Sequence, residues 1–180
     1  MSYLVLNKRA VFLDRDGVIN RKMPEGDYVK NWSEFFFLPG VFDALEILKN
    51  REILSIIITN QSCIARGILS HRQLHEIHEK MQMEIQMHHG NIDAIYFCPH
   101  IISDGCDCRK PKIGMILKAV EEFDSMGINI NLNDSYMIGD SESDILTGQA
   151  AGVPAIRIRN PLETSIHPIT NLLEAVKSIF

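Results

Sequence analysis

Asp14 and Asp16 stand two apart in Asp14-Arg-Asp-Gly-Val-Ile-Asn20, directly after the apolar run Ala10-Val-Phe-Leu13. On an extended path, residues i and i+2 project to the same side. Two carboxylates can then face one substrate with separate duties. Asp14 suits a nucleophile that forms an acyl-phosphate. Asp16 suits the acid that protonates the leaving oxygen and then the base that activates water. Gly17 lets the chain turn away. A plain Asp-Gly turn is the alternative, and the buried Val-Phe-Leu run before it weighs against that. Two carboxylates repel a phosphate dianion, so a divalent cation is implied, and Mg2+ suits oxygen ligands and phosphate. Asp140, in Ile138-Gly-Asp140-Ser-Glu-Ser-Asp144, is a third acidic contributor. Asp144 either holds metal-bound water and the loop or stabilises a helix N-terminus.

Two further segments bear on phosphate. In Thr59-Asn60-Gln61-Ser62, a hydroxyl and the N–H groups after it can bind phosphate oxygens, although alone this is a common polar loop. In Arg109-Lys110-Pro111-Lys112, Lys110 can neutralise a phosphoryl group and Arg109 can grip a substrate oxygen in a fork. Pro111 is placed to start a helix. The alternative is a solvated basic turn.

The spacing C-x-H-x5-C-x-C runs from Cys98 and His100 to Cys106 and Cys108. Three thiolates and an imidazole make a closed tetrahedral Zn2+ site of the structural kind. Cys108 adjoins Arg109, so zinc would position the basic pair. His71, His75 and His78 share one helical face without a carboxylate or thiol partner, which reads as a solvated or partly packed face. Cys63 lies outside the cluster and reads as a buried thiol.

The elements that must position these groups alternate. Strands are expected at Ala10–Leu13, Ile53–Ile58, Ile92–Phe97, Ser135–Ile138 and Ala155–Ile158. Helices are expected at Val41–Asn50, Ser70–Met87, Gly114–Met126, Ser143–Ala151 and Ile169–Ile179, with a capping box at Ser70 and Gln73. Strand–helix alternation predicts an α/β fold with a mainly parallel sheet and helices on both faces. Asp14, Thr59 and Asp140 each follow a strand, where ligand sites of open parallel sheets form.

The chain has 180 residues, 46% hydrophobic and 23% charged, with a net charge of −5. That suits one domain over residues 1–180 and excludes collagen-like, disordered and disulfide-scaffold chains. The acidic balance argues against a nucleic-acid partner. No signal peptide or membrane-length apolar run is read, so a cytoplasmic monomer is expected, its thiols reduced and free for metal.

Taken in order, Asp14-Arg-Asp-Gly-Val, Thr59-Asn, Lys110 and Gly139-Asp140 resemble the four signatures of the haloacid dehalogenase-like phosphatases over roughly Ala10–Arg159. The stretches Phe12–Asn20, Thr59–Gly67 and Cys106–Lys112 are similar to the branch that removes the 7-phosphate of D-glycero-D-manno-heptose 1,7-bisphosphate in bacterial heptose nucleotide-sugar synthesis. The resemblance implies a Rossmann-like three-layer α/β/α sandwich without a separate cap domain. It implies Asp14 as nucleophile, Asp16 as acid/base, and Thr59 and Lys110 as phosphoryl-stabilising residues. Asp14, the Asp16 backbone carbonyl and Asp140 would bind Mg2+. Asn60, Gln61, Ser62, Arg109, Ser141 and the Gly26–Tyr28 stretch, with Tyr28, would line the substrate side. Cys63 stands where that branch usually has Gly, and Arg21–Tyr28 is longer than usual. The short zinc-loop spacer is similar to that of histidinol-phosphate phosphatase, the alternative activity. A phosphoacceptor signalling domain is the alternative from another class. A second Asp two residues after the acceptor favours a hydrolase with its own general acid.

Overall fold

The computed structural model describes residues 5–159 and 169–180. Its centre is a five-stranded sheet. Strands β2 (Ala10–Leu13), β3 (Leu54–Asn60), β4 (Ala94–Cys98), β6 (Tyr136–Gly139) and β7 (Ala155–Arg157) lie in the order β4-β3-β2-β6-β7. Every pairing is parallel. A second, two-stranded parallel sheet joins β1 (Leu6–Lys8) to β5 (Ile128–Ile130). This pair was not anticipated. Each strand is three residues long and partly exposed, and so carries no readable alternation.

Strands buried on both faces divide their side chains by parity. Val11 and Leu13 meet α1 (Val41–Asn50), α2 (His71–Met87) and α5 (Leu172–Ile179), through residues such as Leu45, Met81 and Val176. Ala10 and Phe12 face the other way, onto Met115, Ala119 and Phe123 of α3 (Gly114–Ser125). The last helix, α4 (Glu142–Ala151), lays Gly148 against Met137 and Ala155 of the same face. The outcome is a three-layer α/β/α sandwich of Rossmann-like topology, with no inserted domain between strands among the described residues.

Local chemistry sets the helix ends. Gln73 N–H donates to the Ser70 hydroxyl, and Ser70 N–H donates to the Gln73 side chain, the reciprocal box expected for α2. Two expectations shift. Pro111 does not open α3, which starts at Gly114. Gly114 lies against the backbone of Asp107, where a side chain would collide. The final helix starts at Leu172, because Asn171 caps it by accepting from Glu174 N–H.

Candidate active site

The strand order brings β3, β2 and β6 side by side, and their carboxyl ends deliver Thr59, Asp14 and Asp140 to one edge. The register fixes this: Leu13 pairs with both Ile57 and Ile138. β3 runs on to Asn60, so Thr59 and Asn60 belong to the strand instead of following it. A cleft of about 310 Å3 opens above them. That volume is at the lower end of the range usual for small-molecule sites.

Lys110 Nζ lies 2.9 Å from Asp14 Oδ1 and 2.6 Å from Asp144 Oδ1, with all three side chains mostly or fully buried. Asn60 clips the lysine backbone, accepting from its N–H and donating to its carbonyl. Burial opposes the ammonium charge, but Asp14 and Asp144 outweigh it and raise the Lys110 pKa. Asp14 moves the other way from an ordinary carboxyl. Burial pushes it up to about 7, against the pull of Lys110 and with the help of Asp144 and Asp16.

Asp144 is fully buried and does two jobs. One oxygen holds Lys110, and the other accepts from the Ser141 N–H and hydroxyl at the start of α4. Asp140 is different. Oδ2 accepts from Lys22 at 2.6 Å, while Oδ1 is buried with no hydrogen-bond partner among the described residues. Oxygens of Asp14, Asp140 and Asp144 lie within 4.8 Å of one another. An orphaned buried carboxylate oxygen among hard oxygen donors fits a divalent cation such as Mg2+. Gly17 has φ +94° and packs against the Asp140 carboxylate, so a side chain there would fill the space that the carboxylate occupies. The Asp16 carboxylate stands outside this acidic cluster.

Asp16 borders the cleft, but its oxygens are already engaged. Arg15 Nη2 donates to both at 2.9 Å, Asn20 to Oδ1 and Gln61 to Oδ2. Burial alone would raise its pKa, yet Arg15, Asn20 and Gln61 together lower it. Gln61 also donates to the Thr59 hydroxyl and is almost fully buried. It therefore lies behind the cleft, not on its substrate wall. The other residues read as substrate contacts, Asn60, Ser62, Arg109, Ser141 and Tyr28, do border the cleft. The Tyr28 and Ser62 hydroxyls meet at 3.0 Å. Arg109 donates to the His100 carbonyl, which ties it to the thiol-bearing loop.

The histidine stripe separates in the structure. His75 is exposed beside Glu79, whereas His78 is buried with Nε2 3.1 Å from Arg15 Nη1. Burial and the Arg15 charge push His78 down to about 3 from 6.5. Arg15 is always protonated and donates, so Nε2 accepts and His78 is neutral. An unfolded chain takes up this proton at higher pH than the folded one does. The stability contribution of neutral His78 is therefore complete above about pH 6.5 and is lost as pH falls from there toward 3, by about 1.4 kcal/mol per pH unit. His78→Gln keeps an acceptor and removes the titration. Urea unfolding at pH 7 and pH 5 is expected to show about 2 kcal/mol less acid destabilisation in the variant than in wild type. Equal acid sensitivity in the two would refute this.

Cys98, His100, Cys106 and Cys108 converge at the end of β4. Cys98 Sγ is 3.1 Å from Cys108 Sγ and 3.6 Å from Cys106 Sγ, and His100 Nδ1 is 3.3 Å from Cys108 Sγ and 3.7 Å from Cys98 Sγ. These separations approach the roughly 3.8 Å edge of a tetrahedron with metal–sulfur bonds of about 2.3 Å. Cys63 stays apart, a buried thiol whose pKa burial raises.

A model of the Polynucleotide kinase 3 phosphatase family matches residues 10–154. A D-glycero-beta-D-manno-heptose-1,7-bisphosphate 7-phosphatase of Haemophilus ducreyi is 39% identical over 155 residues, covering 82% of this chain and 81% of that protein. The chain belongs to the heptose-bisphosphate phosphatase family. Within that family, a D-glycero-alpha-D-manno-heptose-1,7-bisphosphate 7-phosphatase of Campylobacter jejuni is also 39% identical over 155 residues, covering 86% of this chain and 84% of that protein. The crystal structure of a family member, D,D-heptose 1.7-bisphosphate phosphatase from B. bronchiseptica complexed with magnesium and phosphate, matches with a TM-score of 0.82. It is 29% identical and covers 95% of this chain and 97% of its own. The chain is thus a haloacid dehalogenase-like phosphatase, a phosphoric monoester hydrolase.

Proposed function

We propose that this phosphatase, acting as one domain over residues 1–180, removes the 7-phosphate of D-glycero-D-manno-heptose 1,7-bisphosphate through an aspartyl-phosphate on Asp14. The observation that carries the chemistry is the buried Asp14–Lys110–Asp144 chain beneath an open cleft. The relatives named for that sugar carry the substrate.

Asp14 would attack phosphorus through one carboxylate oxygen. Lys110, pinned by Asp144 and by Asn60, would hold positive charge beside the transferring group without having to move. Charge placed in advance in a dry site is worth more than charge recruited from water. The Thr59 hydroxyl would contact the same oxygens. Asp16, turned from Arg15 and protonated from solvent, would give its proton to the C7 oxygen as the phosphorus–oxygen bond breaks, and later take one from the water that attacks the aspartyl-phosphate. Phosphate then leaves and Asp14 is restored. Asp14, Asp140 and the backbone carbonyl of Asp16 would hold Mg2+. The cation supplies charge neutralisation that lets a dianion approach the carboxylates. A carboxyl poised near pH 7, as Asp14 is, releases its proton to solvent readily when such a cation binds.

Zn2+ is the metal we assign to Cys98, His100, Cys106 and Cys108. It would fix the loop that carries Arg109 and Lys110. Arg109, Tyr28, Ser62 and Ser141 would meet the sugar and its second phosphate, with Gln61 acting from behind through Asp16 and Thr59. Thiol-rich metal sites suit a reducing cytoplasm. No described helix is long and apolar enough to cross a membrane.

The test is phosphate release with Mg2+ from the α and β anomers of heptose 1,7-bisphosphate and from histidinol phosphate. The expected result is a kcat/KM for one heptose anomer at least about 100-fold above that for histidinol phosphate, about 2.7 kcal/mol of discrimination. Faster turnover of histidinol phosphate would overturn the substrate assignment.

A further inference from the structure

The mechanism leaves Lys22 without a role. It stands on the Arg21–Tyr28 segment that borders the cleft, and its ammonium reaches to 2.6 Å from Asp140 Oδ2. The two partners are unequal. The Lys22 side chain is 54% exposed, whereas that of Asp140 is 18% exposed and its second oxygen is buried without a partner among the described residues. A tethered, half-solvated cation therefore closes on a recessed carboxylate, the same carboxylate that the oxygen cluster would offer to a divalent cation.

Three basic side chains border the cleft, and each is committed differently. Lys110 is sealed between Asp14 and Asp144. Arg109 is bonded to the His100 carbonyl. Lys110 and Lys22 both hold carboxylates that the metal would claim, but Lys110 is buried and keeps Asp144, whereas Lys22 is half exposed and free to swing away. Two cations cannot share Asp140 Oδ2 without strong repulsion at that spacing.

We propose that Lys22 is a built-in competitor for the divalent cation: it neutralises Asp140 while the metal is absent, is displaced when the metal binds, and then meets a phosphoryl oxygen of the substrate. The proposal rests on the metal site assigned above. Two consequences follow from linkage. The site binds the cation more weakly than its carboxylates alone would allow. An anion in the cleft strengthens metal binding, because it gives the displaced ammonium a new partner, and the metal strengthens anion binding by the same factor.

Calorimetric titration with Mg2+ tests this on wild type, Lys22→Gln and Asp140→Asn, each with and without inorganic phosphate. Lys22→Gln is expected to bind Mg2+ alone about fivefold more tightly than wild type. Phosphate is expected to tighten Mg2+ binding in wild type and to do so less in Lys22→Gln. Unchanged or weaker Mg2+ binding by Lys22→Gln, with binding abolished in Asp140→Asn, overturns the role of Lys22 and leaves the metal site standing. Mg2+ binding that survives in Asp140→Asn overturns the metal site itself, and the role of Lys22 with it.

Discussion

Asp14→Asn is expected to lower phosphate release by on the order of 10^4-fold or more, the loss typical of removing a group without which a catalytic unit cannot act. The substitution keeps shape and removes only the nucleophilic charge. Asp14 Oδ1 accepts from the Arg15 N–H at 2.8 Å and from Lys110 at 2.9 Å, and an amide oxygen can serve both donors. Lys110 keeps Asp144 at 2.6 Å, so the buried ammonium is not left alone. Burial also penalises the Asp14 charge, as its upward shift to about 7 shows, and the amide carries no such penalty. The variant should therefore fold as stably as wild type, while turnover is lost. Activity within tenfold of wild type, measured by phosphate release at saturating substrate, would remove Asp14 as nucleophile.

Removal of the Cys98 cluster is expected to produce the second large effect, on stability and turnover together. The only regular structure between β4 and α3 is one short turn, Ile102–Asp104. Within the stretch the ties are Lys112 Nζ on the carbonyls of Gly105 and Cys106, Arg109 on His100 and the close packing of Gly114 on Asp107, and it is anchored outside itself mainly at Pro99 and at Lys110, by Ala65, Asn60, Asp14 and Asp144. Structural zinc in small motifs is worth about 10–16 kcal/mol of apparent binding free energy. Even about 4 kcal/mol of that, at roughly 2–4 °C per kcal/mol for a chain of this size, lowers Tm by about 10 °C. Cys106→Ala is preferable to Cys98→Ala, because Cys98 is buried at the end of β4 and its loss also disturbs packing. We expect Cys106→Ala to lose bound zinc by elemental analysis, to melt about 10 °C lower, and to lose about 100-fold in kcat/KM as Arg109 and Lys110 drift. Zinc-free wild-type protein with unaltered melting and turnover would refute the assignment.

Much of this arrangement is legible in the sequence, and the exceptions share a cause. The limits Val41–Asn50 of α1 and the capping box of α2 follow from local periodicity and side-chain reach, and both are in the structure as read. The placement of Asp14, Thr59 and Asp140 at one edge follows from apolar runs that end in polar residues. Contacts between distant segments were not readable. Nothing near Lys22 announces Asp140, nothing near His78 announces Arg15, and Asp144 reads equally as a helix-start carboxylate or as a holder of metal-bound water or the loop until Lys110 is seen against it. Gln61 shows the same limit in reverse. Its neighbours Asn60 and Ser62 border the cleft, while its own amide turns inward to Asp16 and Thr59.

The order β4-β3-β2-β6-β7 also separates two kinds of freedom. Asp14, Thr59 and Asp140 sit at the ends of the three inner strands, each of which is paired on both sides, so their spacing is insulated from events at the periphery, while Lys110 reaches them from the connection after β4 and is fixed there by Asp144 and Asn60. Two of the groups that would meet the sugar, Tyr28 and Arg109, belong to the connections Arg21–Tyr28 and Pro99–Lys112, which hang from that frame. Selectivity can therefore be exchanged at the Arg21–Tyr28 rim as if it were a fitting, while the hydrolytic centre stays as it is. A chain built this way can change what it dephosphorylates more easily than how it does so.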